Sequence, residues 1–128
     1  PPVLSSAASD VYKRQVYKAV YKAKTKAHIV CIGSTTDRTK KGQAWLYSAE
    51  KKALRDYCNS LSLVGVWHSG PRVSYLSLGT LDNNQDKHPT RSTLRRDTAA
   101  YYIKWLLEQP EDVNINEISI DPMQERKE

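Results

Sequence analysis

The sequence has no long hydrophobic run: no apolar stretch approaches the ~20 residues that a membrane-spanning helix requires. Cysteine is scarce. Cys31 and Cys58 stand far apart, in apolar stretches and in no C-x-x-C pair. That excludes a disulfide framework and points to buried free thiols in a cytoplasmic, reducing setting. His28, His68 and His88 have no metal-ligand spacing, so they are assigned ordinary loop or strand-end roles and no metal is expected. An initiator Met is also lacking. Pro1–Ala8 is too short for a signal peptide and has no basic start, while Leu4–Gln15 resembles a translated adapter sequence. Residues 1–15 are therefore read as a non-native leader and set aside, which leaves 16–128 as part of a single domain.

What is present is ordinary for a soluble globular protein. A chain of 128 residues with 39% hydrophobic and 27% charged residues can form one core. The net charge of +6 and pI of about 9.4 raise a competing reading, a basic α/β module that binds nucleic acid or an anionic surface without catalysis. The excess, however, is scattered over Lys13, Arg14, Lys18, Lys22, Lys24 and Lys26 on one expected helix and Arg91, Arg95 and Arg96 by another. Such runs are usually solvated helix faces, so neither a nucleic-acid nor a membrane partner is expected.

Val16, Ala19, Val20, Ala23 and Ala27 recur at helical spacing and predict a helix over roughly 11–26. His28-Ile-Val-Cys-Ile32 is a short, continuous apolar run, as in a strand buried on both faces, and Gly33-Ser34 ends it. A second helix is expected over about 44–64, with Leu46, Ala49, Ala53, Leu54, Tyr57, Cys58 and Leu61 as its apolar stripe and Gly65 as its stop. Arg72–Leu78 reads as a strand. Residues 80–92 read as a long, mobile loop, either a lid over substrate or a plain connection. A third helix is expected over roughly Ser92–Glu108 and a last strand over Asn116–Asp121. Helices alternating with strands predict an α/β fold with a parallel sheet.

In such a sheet, ligands sit beyond the carboxyl ends of the strands. Ser34 ends the first strand, Leu78-Gly79-Thr80 ends the second, and Tyr47 and Lys51 begin the helix between them. All three features fall on one edge. Tyr47 and Lys51, four apart, share a helix face. An ammonium held beside a phenol favours the phenolate, a way to make a proton donor and acceptor that works near neutral pH. A hydroxyl at the strand end, Ser34 or in its place Thr35, then holds a substrate oxygen. Trp45 and Leu46, just before the Tyr, either line the substrate site or pack in the core.

Over Ile29–Met123 this pattern resembles the C-terminal half of a short-chain dehydrogenase/reductase. The family's strand ending in Gly-Ser matches Gly33-Ser34. The Tyr about thirteen residues on matches Tyr47, its Ser-Ala-x-Lys matches Ser48–Lys51, and an Ala-Leu helix follows at Ala53-Leu54. The family's Pro-Gly turn with a following aliphatic residue and Thr corresponds to Leu78-Gly79-Thr80-Leu81-Asp82-Asn83, with Leu78 in place of Pro and Asn83 in place of Thr. The resemblance implies a partial Rossmann-like doubly wound sheet and NAD or NADP as cofactor. It implies hydride transfer between nicotinamide and a small carbonyl or alcohol substrate, with Ser34, Tyr47 and Lys51 as the catalytic set. Tyr47, Lys51, Leu78, Gly79, Leu81 and Asn83 become the cofactor contacts, and the longer protein a homo-oligomer with the Tyr47 helix at the interface. The family's Gly-rich dinucleotide loop has no counterpart, and no Asn precedes Asn59 to complete the family's tetrad. The 128-residue chain is therefore expected to bind NAD(P)(H) poorly alone.

Overall fold

The computed structural model describes residues 14–24, 27–34, 46–87, 89–90 and 92–124. Residues 14–23 form α1, followed by β1 (His28–Ser34), α2 (Leu46–His68), β2 (Arg72–Leu78), a short 3-10 helix (Asp82–Lys87), α3 (Arg96–Leu107) and β3 (Glu117–Ile120). The strands make one parallel sheet in the order β1-β2-β3, with Val30 opposite Ser74 and Ser34 opposite Leu78. The expected element order and the parallel α/β sheet are both present.

β2 is buried on both faces, and its alternation sorts side chains into two cores. On the α2 face, Val73 and Tyr75 pack with Cys31, Leu54 and Cys58, joined at the periphery by Tyr17, Ile29 and Leu61. On the α3 face, Leu76 and Leu78 pack with Leu94, Ala99 and Leu106. Each fully buried side chain of this size contributes about 1.5–3 kcal/mol. Both cysteines are buried free thiols, as their apolar surroundings suggested.

Two helix ends and one connection depart most from the sequence expectation. Helix α2 runs through Gly65 to His68, and the left-handed residue that ends it is Ser69 (φ 59°), with the Gly70 N–H donating to Val64 O at 3.4 Å. Gly65 is required by proximity instead: a Cβ there would lie 2.7 Å from Pro71 O. Helix α3 starts at Arg96, not Ser92, because Leu94 is taken up in pairing. Its N–H donates to Thr80 O at 2.7 Å and its carbonyl accepts from Asp82 N at 2.9 Å. The connection after β2 is correspondingly more ordered than a mobile loop. Its 3-10 helix is held by an Arg96–Asp82 ion pair at 2.8 Å and by the Thr93 hydroxyl, which donates to Gln85 Oε1 at 2.6 Å.

The expected stripe on α2 also divides. Leu54 and Cys58 face the sheet, but Leu46, Ala49 and Ala53 face solvent, and Ser48 and Ser62 are buried in their place. Ser62 can be buried because its hydroxyl lies 2.7 Å from Val73 O and 3.0 Å from Cys58 O, which satisfies its polar group.

Candidate active site

Contacts along α2 set its direction. Ser62 bonds the start of β2 at Val73, while Leu54 and Cys58 pack beside Tyr75 and Cys31 in mid-strand. The helix therefore runs antiparallel to the strands. The first turn of α2 therefore lies toward the carboxyl ends of the strands, where an open parallel sheet binds ligands.

On that turn the Lys51 ammonium lies 5.4 Å from the centroid of the Tyr47 ring. Tyr47 is 47% exposed and Lys51 half-buried, so the phenol is open to a reactant while the ammonium is partly sheltered. Ser34, at the end of β1 on the same edge, is half-buried, and its carbonyl accepts a bond from Ser77 Oγ at 3.2 Å. Leu46 is 72% exposed, which removes core packing as its role. Thr35 and Trp45 lie outside the described residues.

The expected cofactor turn is on the same edge but presents mainly backbone. The side chain of Leu78 is buried in the α3-side core, and Leu81 packs against that core. Asn83 is exposed in the first turn of the 3-10 helix. Gly79 is buried, its N–H donates to Ile120 O at 2.8 Å, and a Cβ on it would lie 2.6 Å from Pro122 Cδ and 3.1 Å from Asp121 Oδ1.

The opposite, amino edge is polar and mostly bonded. His28 Nε2 is 2.7 Å from Ser74 Oγ, and Nδ1 has no partner among the described residues. Burial, and secondarily the Arg72 guanidinium, holds its imidazole below the usual histidine range. Arg72 Nη1 donates to the Gln109 and Pro110 carbonyls, both at 3.2 Å. A cleft of about 320 Å³ between Val20, Tyr21, Lys24, Ser69, Gly70 and Pro71 also lies at this edge, away from Tyr47. Among the described residues no cluster of His, Cys, Asp and Glu could hold a metal ion, and no helix is long and apolar enough to cross a membrane.

Two contributors had no sequence signal. Asn114 extends the β2–β3 ladder with its side chain: Oδ1 accepts from Val73 N at 3.2 Å and Nδ2 donates to Val73 O at 3.0 Å. Pro122 and Gln124 follow β3 and touch the carboxyl edge. Neither arrangement follows any period in the chain.

No protein-family model and no curated protein matches the chain. Solved structures do match. The closed form of a serine dehydrogenase complexed with NADP+ is 21% identical, with 84% of this chain and 48% of that one covered and a TM-score of 0.66. A 4-hydroxyisoleucine dehydrogenase complexed with NADH is 20% identical, with 91% and 54% covered and a TM-score of 0.70. An alcohol dehydrogenase from the archaeon Thermococcus sibiricus, complexed with 5-hydroxy-NADP, is 20% identical, with 77% and 44% covered and a TM-score of 0.52. The chain spans about half the length of these structures, and its parallel sheet with flanking helices is a partial Rossmann-like fold of the kind found in these dehydrogenases.

Proposed function

We propose that this chain is the carboxyl-side part of an NAD(P)-dependent oxidoreductase of the short-chain dehydrogenase/reductase type, with Ser34, Tyr47 and Lys51 as its catalytic set. The observation that carries the reading is the Lys51 ammonium 5.4 Å from the Tyr47 ring, on the first turn of a helix that runs antiparallel to the strands. The fold it shares with dehydrogenases complexed with NADP+ and NADH supports the choice of cofactor.

The residues present suit the nicotinamide end of such a cofactor. Lys51 and Tyr47 offer donors to ribose hydroxyls, and Thr80, the backbone of Leu81 and the exposed Asn83 offer polar groups to a carboxamide, beside Leu78 and Gly79, whose pairing with β3 holds the turn. The chain has no glycine-rich loop to cradle the pyrophosphate. When bound, a nicotinamide supplies or takes up the hydride. In reduction, the Tyr47 hydroxyl gives its proton to the substrate oxygen, and in oxidation the phenolate takes one back. Lys51 holds a positive charge beside the Tyr47 ring. Ser34 donates to the substrate oxygen where charge develops.

The test is turnover of carbonyl substrates with NADH and NADPH by the longest natural form of the protein. Tyr47→Phe should abolish most of it, and near-normal turnover would sink the assignment.

The same helix supports self-association. Leu46, Ala49, Ala53, Asp56, Ser60, Leu63 and Trp67 form an exposed a/d-spaced stripe. The residues are small at Ala49 and Ala53 and large at Leu63 and Trp67, so a second copy laid antiparallel sets large on small. Trp67→Lys should lower the sedimenting mass in ultracentrifugation; an unchanged mass distribution removes this face from the assembly.

A further inference from the structure

The carboxyl edge is also occupied by the chain itself. The segment after β3 turns across the end of β2, so the space where a side chain at Gly79 would lie is taken by Pro122 and Asp121, at 2.6 Å from Pro122 Cδ and 3.1 Å from Asp121 Oδ1. Two residues on, the Gln124 side-chain oxygen accepts from the Ser92 N–H at 3.4 Å. Ser92 stands just before Leu94, whose backbone is joined to Thr80 and Asp82. Gly79 itself is tied to Ile120 O. Both flanks of the turn that follows β2 are thus contacted by one short segment, at Gly79 on the strand side and at Ser92 on the return side.

We propose that Asp121–Gln124 is a strap that positions the turn Leu78-Gly79-Thr80, with Pro122 and Gln124 as positioning residues. Glycine is needed at 79 to seat the proline of this strap, whether or not a cofactor is bound. Pro122 is suited to the task because its ring fixes the backbone that presses on the turn. Gln124 then limits the opening of the segment that returns toward α3. The consequence for cofactor affinity rests on the oxidoreductase reading; the mechanical coupling does not.

The 128-residue chain tests the coupling through a double-mutant cycle. In the native background Gly79→Ala forces Cβ into Pro122, and the melting temperature should fall by about 5 °C or more. On a Pro122→Ala background the ring carbon is gone, and the same substitution should lower it by less than half as much. An equal cost in both backgrounds overturns the strap. Gln124→Ala should speed hydrogen exchange at the Ser92 amide by roughly three- to tenfold, the loss of one ordinary hydrogen bond, without changing exchange in α1; an unchanged Ser92 rate removes Gln124 from it. In a form that turns over NAD(P)H, Pro122→Ala should raise the cofactor KM by a larger factor than it lowers kcat. If the coupling holds and KM does not rise, the strap is structural only. If there is no turnover at all, the oxidoreductase reading fails and the thermal cycle still decides the strap.

Discussion

The two edges of the sheet are built differently. At the amino edge, most of the polar groups are bonded to one another. His28 meets Ser74, Arg72 binds the carbonyls at the end of α3, and Asn114 pairs with the Val73 backbone. At the carboxyl edge, Tyr47 and Leu46 are exposed on the first turn of α2, and the Lys51 ammonium lies over the Tyr47 ring. Polar groups satisfied internally stabilise, while groups held in place but left open are available to a reactant. The amino edge should therefore govern stability and the carboxyl edge chemistry.

Tyr47→Phe should break that contrast most sharply if it is wrong. It should lower turnover about 10²–10⁴-fold, the range for loss of a general acid–base, yet shift stability by less than about 0.5 kcal/mol, as exposed substitutions do. A large loss of stability would make Tyr47 a structural residue. Leu54→Ala, in the core that joins the two edges, should cost about 2–5 kcal/mol in denaturant unfolding; a cost under 1 kcal/mol would mean that α2 does not pack on the sheet at this point. Asn114→Ala should cost about 1–3 kcal/mol by leaving the Val73 backbone short of a partner, with turnover per folded molecule retained. If activity falls and stability does not, the assignment of roles to the edges is reversed.

The smallest effect is the dependence on pH. Because folding holds the His28 imidazole below its ordinary value of about 6.5, the unfolded chain binds the proton more readily between the folded value and 6.5. Stability therefore rises with pH through that window, is level above it, and is lost as pH falls through the folded value. Melting temperatures of the native chain and His28→Gln, compared from pH 7.5 downward, should diverge below about pH 6.5. Parallel curves would mean that His28 titrates alike in both states.

Much of the fold was legible because β2 is buried on both faces, although β1, expected to be buried likewise, leaves Ile32 42% exposed as a strand at the sheet's edge. Arg72–Leu78 matches the observed strand residue for residue, and the apolar run from His28 is the core of β1. The stop at Gly65 was misread because glycine there answers to the Pro71 carbonyl, a neighbour in space that no local signal announces. The start of α3 moved because Leu94 bonds Thr80 and Asp82 across the chain. The stripe on α2 was read as one apolar face, but Ser48 and Ser62 have hydrogen-bonding options in the fold that their polarity conceals in the sequence. Of the candidate site, the Tyr47–Lys51 pairing was visible from spacing alone, since residues four apart on a helix must be neighbours. The burial of the Leu78 side chain and the crowding of Gly79 were not.

The sequence by itself determined the order of elements, the parallel sheet and the pairing of Tyr47 with Lys51. Each depends on short-range periodicity, which fixes what lies on one face of one element. Tertiary structure alone decided that Ser62 of α2 bonds the start of β2, that the Ala49–Ala53 face is left in solvent, and that Pro122 occupies the space beside Gly79. Those features depend on how one element lies against another and on contacts between residues remote in the chain, and hydrophobic periodicity carries neither.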